Sequence, residues 1–252
     1  MCGRFSLTAD ARAVMEEFSV TGLGWLPPRY NIAPTQPVLV IRAGRHGREA
    51  VLMRWGLIPR WAKDPSRLPL LFNARAETLA EKPAFRGALR HRRVVLPASG
   101  FYEWRRSADG KRRDPYYIRP RGGGLLALAG LAEDYADDKG NEIDTVTIVT
   151  TPANATLAPI HDRMPAILSR DAVAGWIGGD LGGAALPVGL LAPAPADLLE
   201  AIPVGPRVNR AAADDAGLQE RVERAEPAAG SEAPADATPP AGPSGDPQLD
   251  LF

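Results

Sequence analysis

Short apolar runs recur along the chain at strand-like length. Pro37–Ile41, Ala50–Trp55, Arg93–Leu96, Gly100–Trp104, Tyr116–Ile118, Leu125–Ala129 and Thr145–Thr151 are rich in β-branched or aromatic residues and bounded by Gly, Pro or Asp, which is how strands read. Helical spacing is rarer. Ala11, Val14, Met15 and Phe18 fall on one face of a helix that Thr8 can cap. Ser169 can cap a second helix carrying Val173 and Trp176, and Ala196–Ile202 reads as a third. Strands and helices do not alternate, which argues against a doubly wound parallel sheet. The predicted fold is α+β: one domain around a curved, mostly antiparallel sheet with flanking helices. No internal repeat interrupts it.

The pattern stops at Ala225. From there to Pro247 the chain is Ala, Pro, Gly, Ser, Thr and acids, with no Lys, Arg, aromatic or branched aliphatic residue. Such a segment buries too little apolar surface to offset the entropy of ordering it, and disorder is expected. The predicted organisation is a catalytic domain over 2–224, a linker over 225–247 and a terminal peptide over 248–252. This division changes the meaning of the charge. The 252 residues carry 30 Lys+Arg and 30 Asp+Glu, and a neutral chain argues against nucleic acid as a partner. Yet Glu226, Glu232, Asp236, Asp246 and Asp250 all lie in the tail, leaving 30 basic and 30 − 5 = 25 acidic side chains in the body, a net +5. All but Lys63, Lys82, Lys111 and Lys139 of those bases are Arg, the better residue for bidentate phosphate contacts, although GC-rich coding enriches Arg as well. One Cys excludes a disulfide framework and a Cys-based zinc site. Three His without paired spacing point to no metal, and no cofactor is expected. No apolar run approaches the roughly 18 residues of a membrane helix, and the start of the chain lacks a signal-peptide pattern, so a cytoplasmic protein with no membrane partner is expected.

Cys2 follows the initiator Met. Aminopeptidases remove Met before a small residue, and the mature chain would then begin with an amine and a thiol on adjacent carbons. With ordinary pKa values of about 7.7–8.0 and about 8.5, both are partly nucleophilic near neutral pH. Such an aminothiol can close an aldehyde into a five-membered thiazolidine, or attack an amide with the amine as base. A Cys that merely stands second in the chain is the competing reading.

Six further motifs accompany M-C-G-R-F in order: Y-N-I-A-P-T at Tyr30–Thr35, R-W-G-L-I-P-R-W at Arg54–Trp61, F-N-A-R-A-E-T at Phe72–Thr78, L-P-A-S-G-F-Y-E-W at Leu96–Trp104, T-T-P-A-N at Thr150–Asn154 and I-H-D-R-M-P at Ile160–Pro165. Together they resemble the SRAP family of abasic-site processing proteins over essentially residues 2–210. Val94, where many members carry a second Cys, and Ala132, in place of a frequent aromatic, are small departures. The resemblance implies self-attachment to abasic sites in single-stranded DNA through a thiazolidine crosslink. It assigns Cys2 as nucleophile, Glu103 as the acid/base that opens the sugar ring, Asn73 as a holder of the opened sugar, and His161 as stabiliser and proton shuttle. Further activities it raises are strand scission by β-elimination and autoproteolytic removal of Met1 or processing of the crosslink. It also implies a role at replication forks, in association with the nucleoid.

The residues themselves bear on these roles unevenly. Tyr102 and Trp104 flank Glu103 with apolar company that would raise its pKa, but strand alternation sends Glu103 to the opposite face. Arg4, Arg75 and Arg163 sit beside the catalytic motifs where phosphates would fall, and Arg86 and the run Arg90-His91-Arg92-Arg93 add charge. Trp61 and Trp104 are candidates for base stacking. Gln248-Leu249-Asp250-Leu251-Phe252 resembles the short peptides that dock in the bacterial sliding clamp, with Leu249, Leu251 and Phe252 supplying the apolar contacts and Gln248 a hydrogen bond at the rim. Two other readings remain: an N-terminal-nucleophile amidohydrolase of the glutamine amidotransferase kind, which also begins Met-Cys-Gly, and a non-catalytic single-strand-binding module.

Overall fold

The computed structural model describes residues 2–107, 110–178 and 187–223. Met1, the 225–247 linker and the 248–252 peptide lie outside the described residues. The elements are β1 (Arg4–Leu7), α1 (Ala11–Phe18), β2 (Arg29–Ile32), β3 (Pro37–Gly44), β4 (Gly47–Trp55), β5 (Asn73–Arg75), α2 (Pro83–His91), β6 (Arg93–Ala98), β7 (Gly100–Arg106) and β8 (Arg113–Pro120). They continue with β9 (Leu126–Ala136), β10 (Glu142–Pro152), β11 (Arg163–Pro165), β12 (Ile167–Leu168), α3 (Arg170–Ile177) and β13 (Leu199–Pro203).

Two sheets organise them. One runs β13-β8-β7-β1-β2; the other runs β11-β10-β4-β3-β6-β9-β12 with β5 added against β10. In the second sheet β10 pairs both β4 and β9, so β4-β3-β6-β9-β10 closes into a barrel. All pairings are antiparallel except those of β10 with β4 and β5. The α+β expectation of a curved, mostly antiparallel sheet with flanking helices is therefore observed.

The first sheet is buried on both faces. Phe5, Leu7, Ile32, Phe101 and Ile118 join the main core with the barrel residues, while Tyr102, Tyr117 and Ile202 form a second cluster roofed by Val204 and Val208. Gly100, which opens β7, has no room for a side chain: a Cβ there would lie 2.5 Å from the Ile118 carbonyl oxygen and 2.6 Å from the Tyr117 ring. That close approach lets β7 lie flat against β8 and sets the position of every residue after it.

Each predicted strand is present, extended by a few residues. The short strands β1, β2, β5, β11 and β12 were not predicted, and three further features differ from the sequence reading. Asp10, not Thr8, caps α1 by accepting from the Ala13 N–H at 2.8 Å; Thr8 is instead tied to the Ser99 hydroxyl. Ala196–Ile202 is not a helix: a single 3₁₀ turn at Ala196–Leu198 leads into β13, because the edge of β8 takes Leu199–Pro203 as a partner strand. α2 was not anticipated, although Phe85, Ala88 and Leu89 carry its buried face and Pro83 occupies its first turn.

Only Arg90 and His91 of the Arg90–Arg93 run are exposed; Arg92 and Arg93 turn inward. Arg93 is buried, and its guanidinium donates to the carbonyls of Leu89 and Arg90 at the end of α2 and of Trp176 and Gly178 at the end of α3. One cation thus satisfies the free carbonyls, and the negative dipole ends, of two helices. Arg92 makes a two-pronged contact with Glu133 at 2.8 and 2.7 Å. Arg93→Met should therefore lower unfolding stability by about 3–5 kcal/mol, since several buried acceptors lose a charged donor. Urea titration with an unchanged m-value would measure it, and a loss below 1 kcal/mol would refute this role.

Candidate functional site

β1 lies between β2 and β7, with Arg4 opposite Tyr102, Phe5 opposite Phe101 and Ser6 opposite Gly100. Continued backward, this register brings the start of the chain alongside Glu103 and Trp104. Cys2 is fully buried. Its thiol contacts the Arg4 carbonyl at 3.7 Å, and burial, with the Glu103 charge adding to it, pushes the thiol pKa up.

Asn73 reaches the same point from the barrel. Its Nδ2 donates to the Cys2 carbonyl at 2.9 Å, and its strand β5 pairs with β10 through Ile148 opposite Asn73. The R-W-G motif explains why Asn73 sits there. Trp55, buried in the core, donates its indole N–H to the Phe72 carbonyl at 2.8 Å, and its ring meets those of Phe5 and Phe72 edge-on at 5.1 and 6.1 Å. Gly56 follows with φ +129, a backbone shape that favours glycine, and a Cβ would strike Leu70 at 2.6 Å. The Trp thus locks the backbone immediately before the Asn that holds Cys2.

Glu103 is 2% exposed, and burial raises its carboxyl pKa to about 7. Alternation holds, as expected from the sequence: Tyr102 packs into the second cluster, so desolvation on the main-core side, not the flanking aromatics, is the cause. His161 follows the turns at Thr156–Ile160. Its Nδ1 lies 2.9 Å from the Arg163 backbone nitrogen and 2.9 Å from Asp162 Oδ1. Burial lowers its pKa and favours the neutral form. Glu103 and His161 both line a cavity of about 520 Å³ with Trp104, Arg105, Arg106, Arg113 and Asp162. Four distant segments therefore converge: a thiol, an amide donor, a carboxyl poised to exchange protons near neutrality and a neutral imidazole. Such a set can protonate a leaving oxygen, accept a proton from a nucleophile and hold a polar intermediate. Among the described residues no three His, Cys, Asp or Glu side chains are grouped to hold a metal, and no helix is long and apolar enough to cross a membrane.

The residues expected to grip DNA are less uniform. Arg75 is exposed beside Asn73, and Arg86 is exposed on α2, a helix whose neighbours are β6 and β9. Trp61 is 48% exposed. Trp104 is half-buried at the cavity and donates to Asn209 Oδ1 at 2.8 Å. Two arginines are engaged internally. Arg163 makes a two-pronged contact with Glu77 at 2.6 and 2.9 Å and donates to the Thr150 carbonyl. Arg4 donates to Asn31 Oδ1 at 2.9 Å and to the Val208 carbonyl at 2.7 Å. Asn31, from the Y-N-I motif, in turn donates to the carbonyls of Arg210 and Ala213, so Arg4 and Asn31 fasten the 206–213 segment against β1 and β2. Sequence reasoning missed Arg105, Arg106 and Arg113 at the cavity; the consecutive basic residues on either side of the β7–β8 turn, Arg105-Arg106 and Lys111-Arg112-Arg113, are the signal that could have found them.

Comparison with known proteins places this arrangement. The family model described as SOS response associated peptidase (SRAP) matches residues 1–211. Abasic site processing protein YoqW of Bacillus subtilis is 41% identical over 213 residues, covering 83% of this chain and 94% of the relative. Abasic site processing protein YedK of Escherichia coli is 30% identical over 189 residues, 73% of this chain and 82% of the relative. Abasic site processing protein HMCES of Rattus norvegicus is 34% identical over 219 residues, 72% of this chain and 62% of the relative. A crystal structure of a protein from Bacteroides thetaiotaomicron superposes with a TM-score of 0.78 at 26% identity, covering 88% of this chain and all of the other. With its motifs in order and its match unbroken from residue 1 to residue 211, the chain belongs to the SRAP family of abasic site processing proteins.

Proposed function

We propose that the chain, after loss of Met1, captures abasic sites in single-stranded DNA as a covalent crosslink through Cys2. The observation that carries this reading is the buried Cys2, held through its carbonyl by Asn73 and close enough for Glu103 to bear on its thiol. The relatives' names, abasic site processing proteins, supply the substrate class.

The chemistry follows from the groups present. Glu103, protonated in part at neutral pH, donates to the ring oxygen of the closed deoxyribose as the hemiacetal opens to the aldehyde. The Cys2 amine adds to the aldehyde carbon, and water leaves to form an imine. The thiol then adds across the C=N bond, its proton passing to nitrogen, and the five-membered ring closes. One water is lost overall, with no oxidant or reductant. Neutral His161, whose pKa burial lowers, is suited to relay protons to the sugar hydroxyls. At the imine stage the adjacent carbon is acidified, so β-elimination and strand scission compete with ring closure. The crosslink shields the lesion from cleavage while replication and repair proceed in the cytoplasm at the fork. Exposed Arg75 and Arg86 attract the strand, Trp61 and Trp104 offer stacking faces, and Arg163 exchanges Glu77 for phosphate. Arg4 contributes by holding the segment that carries Asn209 beneath Trp104.

The terminal Gln248–Phe252 peptide adds a second partner, the bacterial sliding clamp. Leu249, Leu251 and Phe252 enter its apolar cleft and the preceding linker supplies reach. This rests on the sequence pattern alone.

Intact mass of the protein mixed with a single-stranded abasic oligonucleotide tests the main reading. The expected product is the chain without Met1, plus the oligonucleotide, minus one water. Cys2→Ala abolishes it and retains non-covalent binding; an adduct with the same mass increment and yield in Cys2→Ala would sink the proposal. Ammonia release from glutamine would instead favour an amidotransferase.

The pH profile isolates Glu103. Its pKa is raised, so the acid form is lost as pH climbs through about 7, while the amine gains reactivity toward about pH 8. The crosslinking rate should be bell-shaped, and Glu103→Gln should be slower by about 10²–10⁴-fold and lack the alkaline-side fall. Retention of that fall in Glu103→Gln assigns it to another group.

A synthetic peptide of residues 244–252 should bind the sliding clamp at micromolar concentration in fluorescence anisotropy. Absence of binding at high micromolar concentration ends the clamp reading.

A further inference from the structure

The β7–β8 hairpin carries a charge arrangement that folding does not explain. Arg105 faces Asp114 across the hairpin, an opposite-charge pair, and its guanidinium also lies 5.1 Å from the centre of the Tyr116 ring. One residue further, Arg106 faces Arg113. Like charges directly opposite on paired strands are destabilising. Both side chains are exposed, and among the described residues neither has an ion-pair partner. Both line the cavity that contains Glu103 and His161. Asp162, at the same rim, is the cavity's other carboxylate and lies 2.9 Å from His161 Nδ1 rather than against either arginine. Along β7, Trp104 and Arg106 are two residues apart and so project to one face.

We propose that Arg106 and Arg113 form a phosphate subsite that holds the backbone of the lesion-bearing strand beside the reacting centre. This rests on the single-stranded DNA reading above and extends it by a pair of residues that neither the family motifs nor the sequence pattern singled out. Two guanidiniums held side by side without a carboxylate between them are arranged for an anion that touches both, and a phosphodiester offers oxygens to each. Glu103 and Arg106 are three positions apart, about 10 Å along a strand. The bound phosphate is therefore not that of the reacting sugar but one flanking it, with Trp104 between the two positions to stack the intervening base. The subsite fixes the direction in which the strand leaves the site, along the hairpin and past Trp104.

The test separates binding from chemistry by using a single-stranded oligonucleotide with a tetrahydrofuran abasic analogue, which has no aldehyde. Affinity is measured by anisotropy across a salt series, with each phosphate near the lesion replaced in turn by an uncharged methylphosphonate. Wild type should lose affinity when one or two flanking phosphates are neutralised. Arg106→Gln/Arg113→Gln should bind the unmodified strand about tenfold more weakly, show a salt slope shallower by about 1.4, the share of two phosphate contacts, and be indifferent to the same neutralisations. Arg12→Gln/Arg170→Gln, which removes two exposed arginines paired with Glu16 and Glu17, serves as a charge-matched control and should leave both readouts unchanged. Thermal melting confirms folding, since relief of the Arg–Arg repulsion should not lower Tm. A double variant that keeps the wild-type slope and phosphonate profile overturns the subsite. Wild-type crosslinking to an aldehyde-bearing strand, run in parallel, reports on the broader function independently: success there with an unchanged double variant refutes the subsite alone.

Discussion

The start of the chain is buried in the middle of a sheet, and much of the structure serves that constraint. Chain termini ordinarily fray, because the last residues have few contacts to offset their entropy. Here β1 begins at Arg4, between two partner strands, and Cys2 is fully buried. Three separate devices pin it. Asn73 grips the Cys2 carbonyl, the Trp55 indole fixes the backbone from which Asn73 projects, and Arg4 with Asn31 straps the 206–213 segment across β1 and β2. Several of the recognisable motifs therefore act on one another before they act on any substrate. R-W-G, F-N-A-R and Y-N-I-A-P-T are largely the means of holding residue 2 still.

Burial also sets the chemistry. A carboxyl in ordinary solvent loses its proton near pH 4.3, too low to serve as an acid at neutrality. Withdrawal of Glu103 from water raises that value to about 7, and withdrawal of His161 lowers its value, so burial favours the neutral form of both groups. The cost falls on folding: a carboxyl whose pKa is raised destabilises the folded state as pH climbs from its unfolded value through about 7. The protein carries that cost at one position, surrounded by a core of apolar residues that offset it.

Charge was distributed differently from what counting suggested. The body carries an excess of arginine, yet several guanidiniums face inward. Arg93 ends two helices, Arg4 and Arg163 hold backbone carbonyls, and Arg92 neutralises a buried Glu133. Arginine serves this internal use because its planar fork presents five donors in fixed directions. The cations left for the cavity rim are Arg105, Arg106 and Arg113, none of which belongs to a sequence motif.

Local pattern was sufficient for the longer strands, since a run of β-branched residues bounded by Gly and Pro has few other stable conformations, and for α3, where Ser169 accepts from the Ala172 N–H as its position implied; it missed β1, β2, β5, β11 and β12, which are too short to carry a pattern. It was sufficient, too, for the family, because an ordered set of motifs is a property of the chain itself. It failed where two local readings were nearly equal. Leu199 and Ile202 suit a helix face, but the open edge of β8 supplied partners for their backbone; Pro83 and Gly87 weakened the signal of α2 until the barrel covered Phe85, Ala88 and Leu89. What only the tertiary structure decided was proximity and desolvation. Residues 2, 73, 103 and 161 meet because β1 threads between β2 and β7 while β5 adds to β10, and their proton affinities follow from how much water that meeting excludes. Neither quantity is written in a sequence, since both depend on what the remainder of the chain packs around each group.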